Sequence, residues 1–287
     1  MTASLPTGAS RAELEDLLLD DVPHGDLTTE ALGIGAVPAI MRFTARDVMV
    51  ASAVNDAAAL IAMCGGEVEL ASCCGATLTH GAPILTARGP AGALLKSWKV
   101  AQTLIEVWSG VASAAREIVA AAQSVSPQVV VACTRKNTPG TKRFAAAAVK
   151  AGGAVMHRLG LSESILLFPE HRALLGEQPL PATVALLRRG APEKKLVIEV
   201  TSIEAALLAA DAGFDVLQLE KFTPDEVMAL SQQLSERPRR PQVAVAGGVN
   251  AGNAAAYAGA GADVLVTSAP YLAKPRDVQV QILPATH

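Results

Sequence analysis

The sequence predicts an α/β protein: an open TIM-like α/β barrel preceded by an N-terminal α+β sandwich domain. Three observations lead to this fold class. From residue 129 onward, short apolar segments alternate with helical segments, which is typical of parallel strand–helix–strand units. Polar or glycine residues follow several of these apolar segments, as at the mouth of a barrel. The first 110 residues lack that alternation, so we expect a separate domain there.

The N-terminal sandwich domain is expected over residues 1–110, with residues 270–287 able to pack back on it. Its predicted elements are a helix at Arg11–Leu19, an acidic loop at Asp20–Thr29, a strand region at 39–50, a helix at Ala53–Met63, and strands at Gly66–Leu70 and Ala82–Ala87. The following segment, Ala91–Val125, has helical spacing. Because glycine favours a break, we expect two helices there that meet at Ser109-Gly110.

The barrel domain is expected over residues 111–269. Its predicted strands are Val129–Ala132, Ile165–Phe168, Leu196–Val200, Val216–Leu219, Val243–Ala246 and Val264–Thr267. Its predicted helices are Lys142–Lys150, Thr183–Arg189, Ser202–Ala212, Pro224–Gln233 and Asn250–Gly259. A weak internal repeat relates Ala212–Leu217 to Ala260–Leu265, and in each copy a glycine ends a helix before a buried strand. A doubly wound sheet also fits this alternation; the polar strand ends favour the barrel.

The composition excludes several classes of function. The 287 residues are 51% hydrophobic with a formal net charge of −3, which argues against a disordered chain and against a general nucleic-acid-binding surface. Aromatic residues make up 3%, so stacking platforms for single strands are few. No apolar run reaches the roughly 20 residues of a membrane-spanning helix, and no secretory signal is recognisable. The four cysteines lack zinc-site spacing. We therefore expect a cytoplasmic protein without nucleic-acid or membrane partners.

Cationic residues follow the first barrel strand and recur about twenty residues later. Arg135 and Lys136 lie in a loop that leads to a predicted helix N-terminus, a combination that suits a phosphate or a carboxylate. His157 and Arg158 lie between apolar and glycine residues, where the guanidinium can bind an anion in bidentate fashion. The alternatives are a solvated charged loop and a histidine that only packs.

Carboxylates and a phosphate cradle are predicted on the later strands. Glu199 and Glu220 are one strand–helix–strand unit apart, so we expect them on neighbouring strand ends, where they could hold ribose hydroxyls or Mg²⁺. Gly247 and Gly248 offer backbone N–H groups to a phosphate before a helix at Asn250. Thr267 and Ser268 can contribute hydroxyl groups to the same phosphate site. The alternatives are structural ion pairs of the glutamates and a tight strand–helix turn.

Four motifs in order along the chain resemble the quinolinate phosphoribosyltransferases, also called nicotinate-nucleotide pyrophosphorylases (carboxylating). They are Gly25–Thr29, Ser109–Ala112, Thr134–Gly140 and His157–Ser162. The resemblance spans residues 13–275. The segments Trp98–Val100 and Val266–Tyr271 are similar to the ModD branch of that family, which is associated with molybdenum transport genes.

The resemblance implies a Mg²⁺-dependent enzyme that transfers a phosphoribosyl group from phosphoribosyl pyrophosphate to the nitrogen of a heterocyclic acceptor. It also implies homodimers, and in some members hexamers, whose active site takes a residue from the partner subunit. The residue roles that it implies are acceptor carboxylate binding by Arg135 and Arg158, pyrophosphate contact by Lys136 and His157, ribose or metal binding by Glu199 and Glu220, 5′-phosphate binding by Gly247, Gly248 and Thr267, and a contribution across the dimer by Lys99.

The chain departs from the family pattern at the acceptor side. Lys99 stands where the family has an arginine, and Phe168 where it has a lysine. Because a lysine cannot form the bidentate fork and a phenylalanine carries no charge, we expect a heterocyclic acceptor other than quinolinate. On the donor side, Glu220 replaces an aspartate and Ala246 a serine. These two changes favour the alternative function, a non-catalytic anion- or nucleotide-binding accessory protein of molybdenum uptake.

Overall fold

The computed structural model describes residues 8–285 and confirms the predicted fold class. Its helices are α1 Arg11–Asp21, α2 Leu27–Leu32, α3 Val54–Met63, α4 Ala91–Gln123, α5 Lys142–Ala151, α6 Pro169–Leu175, α7 Leu180–Gly190, α8 Ile203–Ala212, α9 Pro224–Ser235 and α10 Ala254–Gly259. Its strands are β1 Pro38–Ala45, β2 Met49–Val50, β3 Glu67–Leu70, β4 Thr77–Leu78, β5 Pro83–Pro90, β6 Val130–Cys133, β7 Val155–Met156, β8 Ile165–Leu167, β9 Leu196–Val200, β10 Val216–Glu220, β11 Gln242–Ala246, β12 Val264–Thr267 and β13 Val278–Pro284.

These elements form two compact units. One unit contains residues 8–116, 138–153 and 270–285, and the other contains residues 117–137 and 154–269. That residues 1–110 and 111–269 fold as two separate domains stays a prediction, because contacts in the folded chain do not show which segment folds alone. Within residues 8–285, no helix has both the length and the apolar character needed to cross a bilayer.

The first unit is built on an antiparallel sheet with strand order β13-β1-β5-β3. Side chains of β1 alternate between solvent and core, and Met41 and Phe43 are fully buried on the core side. The C-terminal strand β13 pairs with β1 along its whole length, from Ala39 opposite Pro284 to Ala45 opposite Val278. The C-terminal segment therefore completes one edge of this sheet.

Helix α4 is continuous through Ser109-Gly110, so the prediction of two helices was wrong. The glycine is needed for packing and does not break the helix: a Cβ on Gly110 would overlap the carbonyl oxygen of Lys274. Ser109 accepts a hydrogen bond from the backbone N–H of Ser52 at 3.0 Å. Interior helical hydrogen bonds outweigh the modest cost of one glycine, about 1 kcal/mol.

Two other expectations also need correction. The segment Asp20–Thr29 is not a loop throughout, because Asp26 caps α2 by accepting a hydrogen bond from the backbone N–H of Thr29 at 3.1 Å. The same carboxylate accepts the Thr29 hydroxyl hydrogen bond at 2.5 Å. The helix expected at Asn250 begins at Ala254, because Asn250 instead forms a turn in which its side chain accepts from the N–H of Gly252 at 2.9 Å.

The second unit is built on a parallel sheet with strand order β7-β6-β12-β11-β10-β9-β8. All six predicted barrel strands lie within one residue of their expected bounds at each end, and Leu196–Val200 and Val264–Thr267 coincide with β9 and β12. The inner layer of the curled sheet is apolar and is made by Val216, Ala244, Ala246 and Val266. Because this layer is apolar, the carboxyl ends of the strands are the place where polar side chains can gather.

The predicted internal repeat has a structural role at the opposite, amino ends of the strands. Asp215 accepts hydrogen bonds from the N–H of Leu196 and from Arg188, each at 2.7 Å, and it also pairs with Arg239. Asp263 likewise accepts from the N–H of Val243 at 2.7 Å. Each aspartate therefore fastens its own strand to the start of the neighbouring strand.

Candidate active site

The predicted site residues other than Lys99 lie in the second unit, at or just after the carboxyl ends of parallel strands. They are Arg135 and Lys136 after β6, His157 and Arg158 after β7, Glu199 in β9, Glu220 at the end of β10, Gly247 and Gly248 after β11, and Thr267 and Ser268 at the end of β12. Parallel strands present their carboxyl ends at one edge of the sheet, so these residues share one mouth.

Arg158 is the most unusual residue of this mouth. It is only 8% exposed, and within the described part of the chain no Asp or Glu forms an ion pair with it. Burial, followed by the positive charge of Arg135, lowers the pKa of the Arg158 guanidinium. A buried cation without a counter-charge is costly, which points to an anion supplied by a ligand.

Phe168 contacts the face of this guanidinium. The Cζ of Arg158 lies 5.6 Å from the Phe168 ring centroid, within the range of a cation–π contact. The ring of His171 stacks on Phe168 at 5.9 Å, and its Nδ1 accepts a hydrogen bond from the Phe168 N–H at 3.0 Å. Because β7 and β8 are the two edges of the open sheet, this contact joins the ends of the two edge strands.

His157 is tied to the neighbouring strand by its backbone, whose N–H donates to the carbonyl of Cys133 at 2.8 Å. Burial and the adjacent Arg158 lower the pKa of the His157 imidazole, so the ring is neutral near pH 7. The loop that follows is shaped by Glu163, whose carboxylate accepts hydrogen bonds from the N–H groups of Leu159 and Gly160. This loop holds both His157 and Arg158 beside the strand ends.

Arg135 and Lys136 are exposed at the end of β6. Their loop is fixed at its start, because the N–H of Thr134 donates to the carbonyl of Thr267 at 2.9 Å and the Thr134 hydroxyl accepts from the N–H of Lys136 at 3.2 Å. Lys136 is close enough to Glu199 to influence its ionisation. The first barrel loop thus presents two cations to the mouth.

Glu199 and Glu220 lie on adjacent strands, as predicted from their spacing. Glu199 is directly opposite Gln218 in the β9–β10 register, and Glu220 is two residues further along β10 on the same face. Burial raises the pKa of Glu199, a hydrogen bond from Gln218 lowers it, and Glu220 raises it again; the net shift is upward. The two carboxylates are therefore close enough for the charge of Glu220 to affect the pKa of Glu199.

Gln218 was missed by the sequence analysis. It is 5% exposed, and its Nε2 donates to Glu199 Oε2 at 2.7 Å. The signal was present in the alternation of the apolar β10 segment, which places Gln218 on the same face as Glu220. A buried amide within an otherwise apolar strand was read as part of the core.

The Gly247-Gly248 turn has the backbone that only glycine adopts easily, with φ values of 92° and 87°. A Cβ on Gly247 would lie 2.8 Å from Cγ of Lys221 and 3.1 Å from Oε1 of Glu220, whereas a Cβ on Gly248 would meet no atom within 4 Å. Lys221 itself has φ 60°, which is unusual for a residue with a side chain. The turn therefore combines a close approach to Glu220 with open space above Gly248.

Thr267 is 3% exposed, and its hydroxyl is already used inside the protein. It donates to the carbonyl of Val249 at 2.6 Å and accepts from the N–H of Ala269 at 3.0 Å. The Thr267 hydroxyl therefore connects the segments that follow β11 and β12. Ser268, the residue after β12, is half-buried.

Lys99 belongs to the first unit, on the exposed side of α4. Its Nζ lies 4.3 Å from the centroid of the Trp98 ring and 3.3 Å from Gln102 Oε1. It lines a cavity between α1 and α4, together with Asp20 and Asp21. Lys99 therefore belongs to the first unit, whereas the other predicted site residues belong to the second.

Comparison with known proteins identifies relatives over nearly the whole chain. The family models for the N-terminal and C-terminal domains of quinolinate phosphoribosyl transferase match residues 26–109 and 111–281. A protein of Rhodobacter capsulatus, named as a pyrophosphorylase, ModD, is 48% identical over 83% of this chain and 92% of its own length. The nicotinate-nucleotide pyrophosphorylase (carboxylating) of Rattus norvegicus is 32% identical over 67% of this chain and 64% of its own length.

Solved structures give the same result for the fold. The crystal structure of NadC from Streptococcus pyogenes superposes with a TM-score of 0.88 and covers 96% of each chain, at 24% identity. At that identity the likeness concerns the fold.

Proposed function

Because the chain belongs to the quinolinate phosphoribosyltransferase family, we propose that it transfers a phosphoribosyl group from phosphoribosyl pyrophosphate to a nitrogen heterocycle other than quinolinate. The observation that carries this proposal is the buried guanidinium of Arg158, which has no acidic partner within residues 8–285. An anion that binds beside such a group offsets the cost of burying its charge. A heterocycle that carries a carboxylate supplies that anion.

In the proposed reaction, the heterocyclic nitrogen forms a bond to C1 of the ribose while the bond from C1 to the pyrophosphate oxygen breaks. The electron pair of that bond leaves with pyrophosphate. Lys136 stabilises the departing negative charge, and His157, which is neutral, donates or accepts a hydrogen bond beside it. Glu199 and Glu220 hold the ribose hydroxyls, and the Gly247-Gly248 turn receives the 5′-phosphate. No covalent enzyme intermediate is needed, because position and charge stabilisation suffice.

The carboxylates at the strand ends fit a Mg²⁺ ion. Glu199 and Glu220 offer hard oxygen ligands, and within the described residues no cluster of three or more His, Cys, Asp or Glu side chains forms a complete cage. Mg²⁺ is commonly held by one or two carboxylates together with substrate phosphates. When bound there, the ion would neutralise charge on the pyrophosphate of the donor.

The proposal that quinolinate is a poor acceptor is supported by the surroundings of Arg158. The cation-binding face of Phe168 occupies the position at which the family has a lysine, so one positive charge is missing beside the guanidinium. A planar heterocycle with a single carboxylate needs only one cationic fork. We propose such a monocarboxylate, or a less anionic ring, as the acceptor.

We further propose that the protein works as a homodimer in which Lys99 reaches the partner's site, and that it serves molybdenum metabolism. The first proposal is supported by the exposure of Lys99 on α4 and by the family resemblance. The second is supported only by the ModD name of its relatives.

The decisive experiment is calorimetric titration of the purified protein with phosphoribosyl pyrophosphate and Mg²⁺. We expect micromolar binding that Lys136→Ala and Glu199→Ala each weaken by about 1–3 kcal/mol, the range for a lost charged hydrogen bond. Lys195→Ala is the matched control, because Lys195 lies at the amino end of the same sheet and donates to Gln242. Absence of binding by the wild type would refute the transferase proposal, and efficient turnover of quinolinate would refute the acceptor proposal.

The second candidate, a non-catalytic anion- or nucleotide-binding accessory protein, is favoured by one observation. Glu220 Oε1 approaches Gly247 so closely that a Cβ there would be 3.1 Å away, which crowds the proposed phosphate turn. Tight donor binding without turnover of any heterocycle in a broad panel would support this candidate.

A further inference from the structure

Gln218 lies inside the curled sheet, below the mouth of the proposed site. It shares the inward face of β10 with Val216, and the neighbouring inward residues Ala244 and Ala246 are apolar. Its only hydrogen-bond partner among the described residues is Glu199, through Nε2 to Oε2 at 2.7 Å. A polar side chain in this apolar layer needs an explanation.

The second polar atom of the same amide is unsatisfied. Gln218 Oε1 is buried and has no hydrogen-bond partner within residues 8–285. The orientation of the amide follows from chemistry, because an ionised carboxylate only accepts hydrogen bonds and therefore requires the amide nitrogen on its side. The arrangement that serves Glu199 therefore leaves the carbonyl oxygen buried without a hydrogen bond to the described residues, at a cost in stability.

An apolar residue of the same length would avoid that cost. Methionine has a similar shape and would fill the layer beside Val216 and Ala246 without an unpaired acceptor. The position therefore carries a group that is unfavourable for folding and whose one visible interaction is with a proposed substrate-binding carboxylate. Stability lost at one residue in this manner is typical of functional sites.

We infer that Gln218 is a positioning residue, which holds the Glu199 carboxylate in one orientation for binding the ribose of the donor or its metal. The inference rests on the proposed function for the role of Glu199, but the contact itself does not depend on that function. Gln218 has its carbonyl oxygen closed off from solvent and its amide nitrogen bound to Glu199. It acts through Glu199 alone.

The test compares wild type with Gln218→Met and with the control Gln242→Met. Gln242 is a glutamine at the exposed amino end of the adjacent strand β11, and it accepts a hydrogen bond from Lys195. For each protein we would measure the melting temperature without ligand, the affinity for Mg²⁺ with phosphoribosyl pyrophosphate, and the conformation of Glu199 in a crystal structure.

We expect Gln218→Met to melt at the same temperature as wild type or higher, and to bind the donor about tenfold more weakly. A merely structural hydrogen bond would instead lower the melting temperature when removed. We also expect Glu199 to occupy several rotamers in the variant and a single one in wild type. Gln242→Met should change none of these readouts.

The inference is overturned if Glu199 keeps its single conformation in Gln218→Met, or if the variant melts lower, or if a wild type that binds the donor has the same donor affinity as the variant. Failure of wild type to bind the donor would refute the proposed function, not this inference, because the conformation of Glu199 and the melting temperature still test the contact. The two failures are therefore distinguishable.

Discussion

Replacement of Arg158 by methionine should stabilise the ligand-free protein, although it removes a buried charged group. Arg158 is 8% exposed, and its guanidinium has no acidic partner within residues 8–285 and is repelled by Arg135. Its Cζ lies 5.6 Å from the centroid of the Phe168 ring, which is a favourable contact. Methionine keeps most of the aliphatic packing and can contact the same ring through sulfur.

The magnitude follows from these terms. The lost cation–π contact is worth about 0.5–2 kcal/mol, and a sulfur–aromatic contact returns about 0.3–1.5 kcal/mol. Relief of an unpaired buried charge is worth several kcal/mol in principle, reduced by the solvent that still reaches the group. We expect a net gain of about 1 kcal/mol in the free energy of unfolding, seen as a rise of about 2–4 °C in Tm.

Urea and thermal unfolding of the ligand-free protein provide the assay, with Arg116→Met as the matched control. Arg116 is half-buried, and unlike Arg158 it donates hydrogen bonds to the carbonyl oxygens of Gly152 at 2.9 Å and Ala151 at 3.1 Å. Its replacement should cost about 2–3 kcal/mol, because two charged hydrogen bonds are lost. If Arg158→Met is destabilised as much as Arg116→Met, then Arg158 is a structural residue and the argument for a ligand anion fails. In addition, inorganic phosphate should raise the Tm of wild type more than that of Arg158→Met.

Three further predictions concern the acceptor, the strand fasteners and helix α4. The double variant Lys99→Arg and Phe168→Lys should raise the affinity for quinolinate about tenfold, because it restores a fork and a charge; calorimetry that shows no gain would contradict the acceptor argument. Burial raises the pKa of Asp215, but its arginine and backbone hydrogen bonds outweigh burial and hold the pKa below its usual value. The stability that these contacts give is fully present above the unfolded-state pKa of Asp215, and it is lost as the pH falls through the folded-state pKa. Asp215→Asn should therefore cost about 2–3 kcal/mol in the free energy of unfolding at pH 7 and progressively less in acid. Urea titrations at several pH values measure this cost. Gly110→Ala should cost about 1–3 kcal/mol by overpacking, whereas Gly160→Ala, which meets no atom within 4 Å, should leave Tm nearly unchanged.

The strands of the barrel were predictable because their apolar runs are short and end at polar or glycine residues. The interruption predicted in α4 was wrong because glycine has two uses, a break or a close contact, and the contact partner Lys274 lies far away in the sequence. The start of α10 was placed early because the Asn250 turn depends on side-chain hydrogen bonds that periodicity does not show. Long-range packing and local side-chain capping thus account for the errors.

The site was predictable at the level of residue types and strand ends. Arg158 and Glu199 were proposed as site residues from charge within apolar surroundings, and that role stays a prediction, because the sequence does not show whether a charged residue has a partner in the folded chain. For Thr267 the sequence suggested a hydroxyl available to a ligand, but in the structure this hydroxyl is hydrogen-bonded to the backbone of Val249 and Ala269. Gln218 was missed because a single amide in an apolar strand has the same pattern as a core residue.

The two ends of the parallel sheet differ in how far their polar groups are satisfied. At the amino ends, Asp215 and Asp263 each bind an arginine and a strand N–H, so charge is balanced and the strands are fastened. At the carboxyl ends, the Arg158 guanidinium has no acidic partner within the described residues, Gln218 Oε1 has no hydrogen bond there, and Lys221 adopts a left-handed backbone conformation. Each of these features lowers stability, and all three lie at one end of the sheet. We therefore propose that the unbalanced end is the one at which a ligand supplies the missing partners.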